Sequence, residues 1–176
     1  AFAQAIWHTE APVLRTAPVP MMLLSGLVRS QGYKVVLTGE GSDEVLGGYD
    51  IFKEAKIRHF WAKNPNSAFR PRLLKRLYPY LDLSQAQAQV YLQNFFGAAL
   101  DQPNVPHFSH IPRWTTTARC KEFFSESLKT QLRDNALEAM RQSFPSALDR
   151  WHPFHRAQYI EVKSLMAGYL LCSQGD

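Results

Sequence analysis

The stretch Thr38-Gly39-Glu40-Gly41-Ser42-Asp43-Glu44, with Gly47-Gly48-Tyr49 just beyond, concentrates more chemistry than any other part of the chain. Glycines at 39 and 41 let the backbone turn sharply and let a ligand approach the main chain closely. Ser42 is placed to cap a following helix, whose free N–H groups and dipole favour an anion such as phosphate. Yet three carboxylates, Glu40, Asp43 and Glu44, crowd the same turn. They repel bare phosphate, so a phosphate site here needs a bridging cation. Mg²⁺ held by one or two carboxylates plus phosphate oxygens is the usual bridge. No Gly-Lys-Ser/Thr follows, so this is not a P-loop. On spacing alone, an ordinary helix start with acids complementing its dipole accounts for the same residues.

Other reactive side chains are weaker candidates. His107-x-x-His110 and His152-x-x-His155, with Cys120, have a spacing that could suit a metal, but no paired cysteines or acids support it. Surface or capping roles fit these histidines better. Cys120 lies between Arg119 and Lys121, which favour a thiolate, but it lacks a partner histidine in sequence. Cys172, Tyr159 and Tyr169 read as packing residues, and Glu10 as a loop acid.

The elements that must position the acidic turn follow from periodicity and breakers. Residues 1–9 read as a short helix; Pro12, Pro18 and Pro20 bracket a loop, and Pro20 can serve as the first residue of the next helix. Leu23, Leu24, Leu27 and Val28 have helical spacing, stopped by Gly32. Val35-Val36-Leu37 reads as a buried strand running into the glycine turn, an α/β arrangement with a parallel sheet. Beyond Tyr49 the pattern is helical: 50–63, 70–80, a segment from an N-cap at Ser84 with Val90, Tyr91, Phe95 and Leu100 inward, then 120–144 and 154–173. Residues 101–116, with three prolines, read as a loop.

Composition bounds the rest. The chain has 176 residues, 45% apolar and 20% charged, enough for one folded domain. No run approaches the length of a membrane-spanning helix. Two cysteines are too few for a disulfide framework and fit a reducing, cytoplasmic setting. The net charge of +5 is local: residues 51–80 carry eight bases and one acid, Glu54, leaving the remainder acidic. Interleaved with Phe60, Trp61, Phe69 and Tyr78, these bases could form a nucleic-acid footprint. A solvated helical face, with Leu73, Leu74, Leu77 and Tyr78 turned inward, is the plainer reading, and a contact with another domain is a third.

The literal string from Val36 to Tyr49 closely resembles the motif of the asparagine synthase family, Ser-Gly-Glu-Gly-Ala/Ser-Asp-Glu followed by Gly-Gly-Tyr. Ile6-Trp7-His8-Thr9-Glu10-Ala11-Pro12 is similar to that family's lead-in, and Tyr169 to Asp176 to its helix before an Asp-Arg pair. The resemblance implies an adenine nucleotide α-hydrolase-like α/β fold, here mostly helical with one or two parallel strands near the N-terminus. It implies a nucleotide-site part over 1–50 and a helical part over 51–176. It further implies an ATP-dependent ligase that activates the aspartate carboxylate as an acyl-adenylate, which ammonia then attacks. By the same resemblance Thr38, Gly39, Gly41 and Ser42 line the nucleotide, with Thr38 in place of the commoner Ser. Glu40 supports adenylate formation or deprotonates the incoming amine, and Asp43 contacts Mg²⁺-pyrophosphate.

The family's first phosphate loop, Ser-Gly-Gly-x-Asp-Ser, is not found in these residues, nor is a glutaminase domain to supply ammonia. With no initiator Met, the chain is expected to be the middle of a longer synthetase, inactive by itself. A related amidotransferase or β-lactam synthetase-like enzyme acting on another carboxylate is the alternative within the family. A non-enzymatic basic helical module is the alternative outside it.

Overall fold

A computed structural model of the chain describes residues 1–9, 13, 15–80, 86–132 and 136–171. The elements are α1 (Phe2–His8), α2 (Pro18–Ser30), α3 (Ser42–Leu46), α4 (Asp50–Ala62), α5 (Ala86–Phe96), α6 (Ile111–Ala118), α7 (Glu126–Gln131), α8 (Ala136–Gln142) and α9 (Pro153–Ile160). Short 3-10 helices occupy Arg70–Arg76, Arg119–Phe123 and Leu148–Arg150, and a π-helix runs over Glu161–Leu170. The chain divides into two compact units, one of Ala1–Gly48 with Gln158–Asp176, the other of Tyr49–Ala157.

In the first unit α1 packs on α2, and α3 packs on the π-helix. Prolines at the first turn start α2 where a missing N–H costs nothing, and Gly32 at φ +86° follows its end. Arg15 lies over the Tyr169 ring, 5.1 Å from its centroid. The expected buried strand is not found among the described residues. Val35, Val36 and Leu37 are 78%, 58% and 95% exposed, and no ladder hydrogen bond engages them. A strand exists only against a neighbour, and none of the described segments supplies one. Leu23, Leu24 and Leu27 of α2 are exposed as well.

The second unit holds the main core: Trp61, Leu74, Leu77, Leu92, Phe96, Leu100 and Phe108. A smaller cluster joins Ile51 and Phe52 to Ala157 and Phe154. The helix expected over 50–63 is α4, while the one expected over 70–80 is a 3-10 helix that buries Leu74 and Leu77 as anticipated. The buried face of α5 differs from expectation: Leu92 and Phe96 point inward, whereas Val90 and Tyr91 are exposed. The pair at i and i+4, continued by Leu100, meets the α4 and 3-10 side chains. Ser84 lies outside the described residues. The single helix expected over 120–144 is broken, because Phe124 is extended (ψ 144°) and Ser125 caps α7, accepting from the Leu128 N–H at 3.2 Å.

Charged groups are built into this core. Glu54 is 1% exposed, accepting hydrogen bonds from the Tyr78 hydroxyl and from Arg113, whose Nη2 lies 2.7 Å from Oε1. Burial, reinforced by the hydrogen bond to Glu54, pushes the Tyr78 phenol well up. Arg58 is fully buried, and desolvation lowers its guanidinium to about 10. His107 and His110 are buried too, against the surface or capping roles expected, because consecutive turns over 103–110 fold Phe108 into the core. They flank Trp114 at ring distances of 5.8 and 5.0 Å.

These imidazoles predict acid lability. Burial pushes His59 down to about 4, helped by the nearby charges of Arg58, Arg156 and His152. Burial likewise lowers His107, with Arg141 and His110 adding repulsion. An unfolded histidine titrates near 6.5, so the neutral forms stabilise the fold above that pH, and the contribution is lost as pH falls towards 4. The second unit is expected to lose about 1–2 kcal/mol between pH 6.5 and 4 after allowing for solvent screening. Denaturant unfolding at both pH values checks this, and His59→Gln must flatten the dependence.

Candidate functional site

Gly41 (φ +89°, ψ −9°) is the N-cap of α3 and Gly47 (φ +76°) its C-cap, so left-handed glycines bound a five-residue helix. The Ser42 N–H donates to the Gly39 carbonyl at 3.1 Å, closing the turn ahead of it. At the far end the N–H groups of Gly47 and Gly48 both donate to the Asp43 carbonyl, at 3.0 and 2.9 Å. Ser42 is therefore the first helical residue rather than the cap, and its hydroxyl makes no capping bond. The left-handed turn that only glycine adopts cheaply moves the cap one residue earlier. A Cβ on Gly41 would also fall 2.9 Å from Met166 Sδ.

The three carboxylates part company. Glu40 and Asp43 are exposed, with Thr38, Gly39 and Ser42, whereas Glu44 is 1% exposed and turns into the unit. The Asp43 carboxylate lies over Gly48, where an added Cβ would sit 1.9 Å from Oδ1 and 3.3 Å from the Asp43 Cα. Gly48→Ala must therefore displace this carboxylate. We expect a stability loss of about 1 kcal/mol by thermal unfolding, shrinking when Asp43→Ala is combined with it. Additive effects would show that the two positions do not meet.

An exposed carboxylate in a glycine-made cradle, with Glu40 nearby in sequence, suits Mg²⁺ completed by phosphate oxygens and water. Among the described residues no three His, Cys, Asp or Glu side chains gather into a group able to hold a metal without such help. His152 and His155 are exposed with rings 6.0 Å apart, and Ser109 Oγ sits 2.8 Å from His110 Nδ1. Cys120 is a free, exposed thiol. Glu10 and Cys172 lie outside the described residues. Tyr159 and Tyr169 meet Lys163 and Arg15, 3.3 and 3.4 Å from their hydroxyls.

The basic stretch 51–80 is not one uniform surface. Arg58 belongs to the core, Lys53 pairs with Asp50 at 3.2 Å, and Arg70 and Arg72 lie over the Phe60 and Phe69 rings. Glu54 and Arg58 share the buried face of α4 with Ile51 and Ala55, so their positions, not their charges, are what mark them in the sequence.

The surface loop thus combines a glycine-forced turn, a hydroxyl and two exposed acids. Residues 1–176 match the asparagine synthase family model, and the chain belongs to that family. The amidase chyE of Penicillium rubens is 29% identical over 183 residues, covering 99% of this chain and 26% of its own length. The amidase chry2 of Gibberella zeae is 26% identical, with the same coverage of both chains. Asparagine synthetase 1 of Saccharomyces cerevisiae is 47% identical over 57 residues, 31% of this chain and 10% of its own. The chain spans about a quarter of the length of the two amidases. No solved structure matches it. No helix among the described residues is long and apolar enough to cross a membrane.

Proposed function

We propose that the chain carries part of the nucleotide site of an ATP-dependent, amide-forming ligase of the asparagine synthetase kind. In this reaction a substrate carboxylate, aspartate first among candidates, attacks the α-phosphorus of ATP and expels pyrophosphate. Ammonia from a glutaminase domain then attacks the acyl carbon, AMP leaves with one carboxylate oxygen, and the amide remains. The carrying observation is the exposed turn over 38–43, held by Gly41 at φ +89°, in a chain of this family. Thr38, Gly39, Gly41 and Ser42 line the nucleotide, Glu40 assists the acyl transfer, and Asp43 takes Mg²⁺. When bound, the cation neutralises the developing pyrophosphate charge.

In this reading Val35–Leu37 become a strand once the rest of an α/β sheet is present, since exposed Val and Leu gain by burial. Residues 1–50 then form the nucleotide part and 51–176 the helical part. A reducing, cytoplasmic setting fits the free thiol of Cys120. Of the eight bases in the basic stretch, Arg58 is buried and Lys53 pairs with Asp50, which counts against reading the whole stretch as a nucleic-acid footprint.

The test uses the full-length parent with aspartate labelled by ¹⁸O in its side-chain carboxylate. One ¹⁸O should appear in AMP. Formation of ADP and phosphate, or of unlabelled AMP, would sink the acyl-adenylate. A second reading, another carboxylate in place of aspartate, is favoured by one fact. The amidase-named relatives align over 99% of the chain, the yeast synthetase over 31%. Pyrophosphate release that ignores aspartate and answers to a different acid would select it.

A further inference from the structure

The second unit has an open cleft of about 480 Å³ whose walls are α4 at Trp61, α5 at Gln93 and Asn94, and the turn through Ala99 to Asp101. Its walls are fixed by bonds made behind them. The Trp61 indole N–H donates to the Pro65 carbonyl at 3.0 Å, which locks the ring. The buried Arg58 donates to the carbonyls of Phe96 and Ala98, at 3.0 and 2.6 Å, and so holds the start of the turn. Ala99 stands at φ +55°, a left-handed conformation that costs a non-glycine residue about 1–2 kcal/mol.

The rim is polar and has its groups to spare. Gln93 and Asn94 are exposed, and among the described residues no hydrogen bond engages their amides. Asp101 is the one charged group among the cleft's lining residues and forms no ion pair with the described residues. The Gln102 side-chain amide donates to it at 3.5 Å. Asp101 stands at the rim with no cationic side chain among the lining residues, which favours a cation over a phosphate or a carboxylate there. A rigid aromatic wall beside a carboxylate and two amides suits the opposite charge on a short apolar stem.

We propose that this cleft binds a small organic cation, an ammonium or guanidinium on a short alkyl stem. Asp101 supplies the counter-charge, Trp61 the apolar wall, and Gln93 and Asn94 the hydrogen bonds. All the residues of this cleft belong to the second unit, whereas the nucleotide loop belongs to the first.

The chain labelled with ¹⁵N is titrated with n-butylammonium and butylguanidinium, with butyrate as the isosteric anion. Saturable amide shifts confined to residues around 93–101 and the Trp61 indole are expected in the millimolar range for the cations. Asp101→Asn, an exposed change that leaves the core untouched, should weaken binding at least about fivefold. Absence of saturable shifts, equal affinity for butyrate, or undiminished binding in Asp101→Asn would each overturn the proposal.

Discussion

Arg58→Ala is expected to lower the stability of the second unit by about 4–5 kcal/mol, the largest loss of any single change in that unit. The guanidinium is fully buried and binds the carbonyls of Phe96, Ala98 and Phe108 while stacking 3.9 Å from the Phe108 ring centroid. Truncation leaves those carbonyls without their donor, at roughly 1–3 kcal/mol for each that stays dry. It also opens a cavity beside Phe96 and Phe108. Although desolvation lowers the group to about 10, it remains charged at neutral pH, with Glu54 on the same helix as the favourable charge. Arg58→Lys keeps the charge but not the planar fork, so it should recover only part of the loss. Domains have about 5–15 kcal/mol in hand, which puts the alanine variant near the folding threshold. Urea unfolding followed by near-ultraviolet dichroism measures it, and an unchanged midpoint would remove Arg58 from the core.

The same residue shows where sequence stops being legible. Periodicity placed α4 and the burial of Leu74 and Leu77, because those positions depend on local spacing and the apolar effect alone. It read Arg58 as one of eight similar bases, since charge carries no mark of burial until distant carbonyls are brought to meet it. Those carbonyls lie 38 to 50 residues away. Val35–Leu37 differ in the opposite sense: the pattern is local, but no ladder partner for it lies among the described segments. At the acidic turn, residue types disclosed the glycines and carboxylates. They could not disclose that Asp43 faces out and Glu44 inward, which is decided by how α3 lies on the π-helix.

On the ligase reading proposed above, Glu40→Gln in the protein that carries this chain should cut amide synthesis by at least about a hundredfold while leaving any glutamine hydrolysis unchanged. Glu40 is exposed on the turn between Gly39 and Gly41, so exchanging its carboxylate for an amide removes a charge without disturbing packing. The turn itself depends on glycine at 41 and on the bond between the Ser42 N–H and the Gly39 carbonyl, and neither involves the Glu40 side chain. A loss of activity in this variant therefore reports chemistry rather than folding, and thermal unfolding should coincide with that of the parent. The two assigned duties separate by reaction step. If Glu40 supports adenylate formation, exchange of labelled pyrophosphate into ATP falls together with synthesis. If it deprotonates the incoming amine, that exchange survives, and the defect grows as pH falls and more of the ammonia is protonated. Synthesis undiminished in Glu40→Gln would strip Glu40 of both proposed duties.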